Sequence, residues 1–134
     1  MGNARFAAVL AVLVSVGVAA WPGATQKSVA QGVTVAVTPG TLDPRASVWD
    51  FAVAFEGRGR KLDDEVMENF VLVGDGHRIK PLAWEGEKPA MGHRAGVLKF
   101  VAIRPRPREL ELQLVRPGEA RPRVFRFWSG GWTA

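Results

Sequence analysis

Residues 48–55 read Val48-Trp49-Asp50-Phe51-Ala52-Val53-Ala54-Phe55, and their alternation decides the fold. Trp49, Phe51, Val53 and Phe55 fall at every second position, with Asp50, Ala52 and Ala54 between them. Side chains alternate across a β-strand, so this spacing sets three large aromatic rings on one face of a sheet. A helix would scatter them around its axis. The segment is therefore expected to be a central strand with its aromatic face turned to the core.

The same period extends outward in both directions. Val33, Val35 and Val37 alternate with Thr34, Ala36 and Thr38, and Pro39-Gly40 closes that strand. Residues 70–73 and 78–81 flank Gly74-Asp75-Gly76-His77, where a two-residue Asp75-Gly76 turn places Leu72 across from Ile79. Pro81 has no ladder donor and confines its strand to an edge. Further along, Leu98 with Phe100, then Leu110 with Leu112 and Leu114, then Phe125 with Phe127 mark three more inward faces. Gly57-Arg58-Gly59-Arg60-Lys61 reads as a polar break. Residues 62–69 read as one or two helical turns capped by Asp63, with Asp64 and Glu65 near the positive end of the dipole. About seven short strands with little helix point to an all-β fold, an antiparallel two-sheet sandwich of immunoglobulin-like (Ig-like) type. A small closed barrel is the alternative. The chain has no cysteine and no tyrosine, so it lacks the inter-sheet disulfide and the tyrosine corner of antibody domains.

The N-terminus has a different character. Arg5 precedes an apolar run over residues 6–20, interrupted only by Ser15 and Gly17, and Pro22-Gly23 ends it. That is the layout of a secretory signal peptide. Ser28-Val29-Ala30 satisfies the small-x-small rule and sets the leader at 1–30 and the domain at 31–134. Val18-Ala19-Ala20, with release before Trp21, is the alternative. The run falls short of the about 20 apolar residues a spanning helix needs. No transmembrane segment is expected after cleavage, and the destination is secreted or periplasmic. Without cysteine there is neither lipid attachment through an N-terminal thiol nor a disulfide, so core burial alone must hold the domain.

The formal charge is +5, and removing Arg5 and Lys27 with the leader leaves +3. From Arg104 onward seven arginines stand against Glu109, Glu111 and Glu119. They are expected on the solvent face of edge strands, where charge resists association. Trp128 and Trp132 near these arginines amount to no strong nucleic-acid signal. Catalytic patterns are thin. Ser47 and Ser129 sit in no nucleophile elbow. Asp63, Asp64, Glu65 and Glu68 are too close in sequence to face one another across a substrate. Gly74-Asp75-Gly76 opens a strand and has no helix N-terminus for phosphate. No catalytic residue is assigned, no cofactor is expected, and the chain reads as a non-enzyme.

Residues 85–96 are expected to form a long loop carrying Met91-Gly92-His93-Arg94. Trp84 and Phe100 would pin its ends. Trp84, Glu85, Met91, His93 and Arg94 form the expected contact surface, with the Arg94 fork offered to a partner's carboxylate or phosphate, or to Glu85 or Glu87. The partner expected is a protein or a cell-envelope component. The alternative is a periplasmic transition-metal module on His77, Met91 and His93, soft and borderline donors that suit copper or zinc.

Five sequence stretches carry a resemblance. They are Trp49-Asp50-Phe51-Ala52-Val53, Trp84-Glu85-Gly86 with Pro89, Gly92-His93-Arg94, Gly96-Val97-Leu98-Lys99-Phe100 and Arg123-Val124-Phe125-Arg126-Phe127-Trp128. Together they resemble a family of small, functionally uncharacterised exported bacterial proteins of Ig-like β-sandwich type. Family loops often carry a second histidine beside the first and another after the early aromatic strand. Here Met91-Gly92 and Gly57-Arg58-Gly59-Arg60 occupy those places. The resemblance implies the sandwich and export, and it implies no reaction.

Overall fold

The computed structural model describes residues 24–128; the apolar leader run, Ser129 and Trp132 lie outside the described residues. Nine strands and one short helix follow in order. They are β1 (Gln26–Ala30), β2 (Val33–Pro39), β3 (Val48–Leu62), α1 (Val66–Asn69), β4 (Phe70–Gly74) and β5 (His77–Ile79). After them come β6 (Ala83–Gly86), β7 (Ala90–Val101), β8 (Glu109–Leu114) and β9 (Arg123–Trp128). One sheet has the order β1-β2-β3-β7-β6 and the other β9-β8-β4-β5, with every pairing antiparallel. The fold is all-β, two antiparallel sheets packed as a sandwich. With β2, β3, β7 and β6 as strands A, B, E and D, and β4, β8 and β9 as C, F and G, the strand order is that of the Ig fold. One strand is added outside A and one outside C.

The alternation around Phe51 builds the core as expected. Trp49, Phe51 and Phe55 are fully buried, and β3 lies at the centre of its sheet. Facing it are Phe70, Leu72, Leu110, Leu112, Leu114, Phe125 and Phe127 from the other sheet. Phe51 meets Phe100 edge-on with centroids 5.9 Å apart, and it meets Phe127 across the sandwich at 5.5 Å. The Asp75-Gly76 hairpin also forms, with φ of 47° and 82° at the two turn residues and Leu72 paired with Ile79. Ile79 ends β5 on the sheet edge, before Pro81.

Several expectations are corrected. Gly57-Arg58-Gly59-Arg60-Lys61 does not end its strand. β3 runs on to Leu62 and swells between Glu56 and Lys61, which pair with His93 and Met91. The stretch 85–96 is not a long loop either. β6 and β7 are a hairpin joined by residues 87–89, so Met91, His93 and Arg94 lie in a strand. Gly92 suggested a turn, but its φ of +82° serves the irregularity opposite the β3 swelling. The helix is one turn starting at Val66, with Glu65 at its N-cap and no side-chain cap, so Asp63 does not cap it. Finally, β1 occupies Gln26–Ala30, inside the segment read as leader. It pairs in register with β2 across a tight turn at Gln31 and Gly32.

Candidate functional site

In this topology the β3–β4, β6–β7 and β8–β9 connections gather at one end of the sandwich. A relay of buried charges ties them together. Asp64, in the β3–α1 link, accepts two hydrogen bonds from Arg116, from Nε at 2.8 Å and Nη2 at 3.0 Å. The Asp64 side chain is 2% exposed, so this two-pronged pair is shielded from water. Arg116 Nη1 then donates to Glu119 at 3.2 Å. Glu119 in turn receives two bonds from Arg123, at 2.9 Å from Nε and 2.6 Å from Nη2. The spare donors of Arg123 reach the carbonyls of Ser28, Ala30 and Val33, each at 2.9 Å. One guanidinium therefore fastens β9 to the β1–β2 hairpin.

The electrostatics follow from these bonds. Hydrogen bonds from Arg123, helped by the nearby charge of Arg116, hold the Glu119 carboxyl below the usual carboxylate range against the opposing effect of burial. The bond to Asp64 raises the pKa of the Arg116 guanidinium. Each group in the relay is committed to another.

Arg94 joins the relay from the third connection. It is 5% exposed and donates to the Asp64 carbonyl at 2.9 Å and the Glu87 carbonyl at 3.0 Å. Its guanidinium carbon lies 5.6 Å from the Trp84 ring centroid, and Trp84 Nε1 also donates to the Glu87 carbonyl. Of the partners expected for the Arg94 fork, it is Glu87 that receives it, through the backbone carbonyl and not the carboxylate. Strand register puts Arg94 opposite Phe55 on the inner face, where it secures the turn at residues 87–89.

The other expected contact residues are scattered. Glu85 points from the outer face of β6 and pairs with Lys99 at 3.1 Å. Met91, 65% exposed, sits opposite Lys61. His93 is exposed between Glu56 at 3.9 Å and Glu87 at 3.7 Å. His77 is elsewhere, its Nδ1 3.3 Å from the Gly74 carbonyl, in a shallow hollow shared with Ile79, Val101 and Ile103. Since β7 spans the distance from His93 to Val101, about 26 Å at roughly 3.3 Å per residue, the two histidines occupy opposite ends. The structure does not bring His77 together with Met91 and His93.

Beside the relay lies a polar cleft of about 550 Å³. Gln31, Arg60, Lys61, Asp63 and Glu65 form its exposed rim, and Arg116 and Glu119 form its wall. Sequence reading missed this end. It took all seven late arginines as solvent-facing charge; Arg104, Arg106, Arg108, Arg121 and Arg126 are exposed, Arg104 while donating to the carbonyls of Pro44 and Ala46, but Arg116 and Arg123 are pinned inside. The usable signal was the spacing Arg116, Glu119, Arg123 around Pro117-Gly118, which allows both arginines to fold back on one carboxylate.

No protein-family model matches the chain, and no curated protein matches it.

Proposed function

We propose that the chain is an exported, non-enzymatic Ig-like module that binds or scaffolds a protein or cell-envelope component outside the cytoplasm. It makes contact through the end where the three connections meet. The observation that carries this reading is the relay from Arg94 through Asp64, Arg116 and Glu119 to Arg123. It spends its carboxylates on arginines, leaving none poised as an acid or base. It also ties down the backbone at Asp64 and Glu87, beside the exposed Arg60, Lys61, Met91 and His93. A contact surface held rigid before binding loses less conformational entropy on association.

Export is consistent with this reading when the leader is released upstream of Gln26. Cleavage after Ala30 would remove β1 and two of the three carbonyls that hold Arg123. Cleavage after Ala20 keeps both. Intact mass of the exported chain is expected to show a start at Trp21.

The contact surface is tested in cells with a photo-crosslinking residue placed singly at Arg60, at Met91, or at Val124 on the far sheet face. Adducts of discrete mass are expected from Arg60 and Met91 and not from Val124. The reading fails if the three positions behave alike.

A further inference from the structure

We infer that the outer face of the five-stranded sheet is a self-association surface, covered by a second copy of this chain stacked sheet on sheet. The face is distinct from the loop end described above and does not depend on it. Strand register defines it. Ala36 pairs with Ala54 and Ala54 with Ala95, so one row crosses β2, β3 and β7 with methyl groups alone. The adjacent row is Thr38, Ala52 and Val97. None of these six residues belongs to the core, and Ala52 is exposed. A solvated antiparallel face usually alternates apolar with polar. Here the alternation changes size and leaves the outer centre nearly without polarity.

Charge is confined to the perimeter. Asp50 and Glu56 bracket the centre along β3, Asp50 beside Lys99 in the register and Glu56 beside His93. Lys27 stands on β1 in the row of Ala36, and Glu85 stands on β6 in the row of Val97. Among the described residues Lys27 has no ion pair, while Glu85 has only the half-buried Lys99.

Three properties select a second copy as the occupant. Short side chains make the face flat, so a close fit needs another flat face, and the copy supplies one. Five strands about 4.8 Å apart, over about 20 Å of strand, cover roughly 500 Å², so a pair buries about 1,000 Å², where specific interfaces begin. The third property is charge. A two-fold axis lying between the sheets along β3 sets β1 of one copy over β6 of the other. Lys27 then stands over β6 of the other copy, one row (about 7 Å along the strand) from Glu85, a gap that two extended side chains span, twice per dimer. The stacking is that of two aligned sheets, already used once inside each chain.

The test is sedimentation equilibrium on the chain beginning at Trp21, from about 5 to about 500 µM, a range suited to so small an interface. A monomer–dimer equilibrium is expected within it. Ala54→Arg places a long charge at the centre and should leave only monomer, with an unchanged circular dichroism spectrum; if it does not fold, Ala52→Asp carries the same expectation. Lys27→Glu and Glu85→Lys should each weaken the dimer by about tenfold, and together they should restore it to within about threefold of the parent. Gln113→Arg, on the other sheet's outer face, should change nothing. The inference is overturned by a monomer at the highest concentration, by an Ala54→Arg dimer as tight as the parent, by failure of the double charge exchange to restore association, or by dimer loss in Gln113→Arg.

Discussion

The two outward faces of the sandwich obey the same alternation and end with opposite characters. On the four-stranded sheet the row across β5, β4, β8 and β9 reads Arg78, Val73, Glu111, Arg126. Glu111 there accepts bonds at 2.9 Å from both Arg126 and Gln113. On the five-stranded sheet the corresponding centre is alanine, threonine and valine, with no charge. Their inner faces are equally buried. Folding needs only the inner faces, so the outer difference is free to serve another end. A ladder of charges resists stacking against another sheet, and a bare face invites it.

The sharpest way to break this comparison is to cross from one side of β3 to the other in a single residue step. Phe51→Ala is expected to cost about 3–5 kcal/mol, measured by urea unfolding. Ala52→Ser, one position on, is expected to stay within about 0.5 kcal/mol in the monomer. Comparable losses at both positions would mean the outer face is structural.

A somewhat smaller effect is expected at the seam where the sheets are laced. Arg123→Ala leaves Glu119 buried without its main partner and is expected to cost roughly 3 kcal/mol. The pH dependence has a definite sign. Glu119 titrates below its unfolded value, so its contribution is complete above that value, about pH 4.3, and is lost as pH falls through the folded pKa. Unfolding curves from pH 7 to pH 3 should therefore show a steeper acid loss in the parent than in Arg123→Ala. Parallel curves would remove the relay from the stability of the fold.

The smallest of the three losses belongs to the charged outer face. Glu111 is held below its ordinary range, first by the Gln113 amide and then by Arg126, but Arg126 is largely exposed. Arg126→Ala, again followed by urea unfolding, is expected to cost about 0.2–1 kcal/mol. Arg123 and Arg126 share a strand and differ in which way they point, and their expected costs differ accordingly.

Much of this architecture was legible in the sequence because hydrophobic alternation reports on burial directly. Trp49 to Phe55, Leu110 to Leu114 and the Asp75-Gly76 turn all fold as their spacing indicates. Polar residues inside strands misled, since Gly57 to Arg60 bulge out of the ladder without ending the strand, and Lys61, Met91, His93 and Arg94 pair on either side of that irregularity. The relay was hidden for a different reason. Asp64 and Arg116 are far apart in sequence, and an arginine that reaches back into the protein looks, in sequence, like one that reaches out. Strand β1 was masked by small residues that equally suit a peptidase site.

The clasp between the first and last strands also bears on when the chain can fold. Gln26 holds the Arg126 backbone by both its amide oxygen and its nitrogen, bonds that link residues 100 apart in sequence. Arg123 reaches back a similar distance to Ser28. Contacts of such long separation form late, because a large loop must close before any is gained. The sandwich thus has no sealed form until β9 is available. When a chain emerges gradually from its N-terminal side, the order of synthesis itself postpones such folding until residues 123–128 are free.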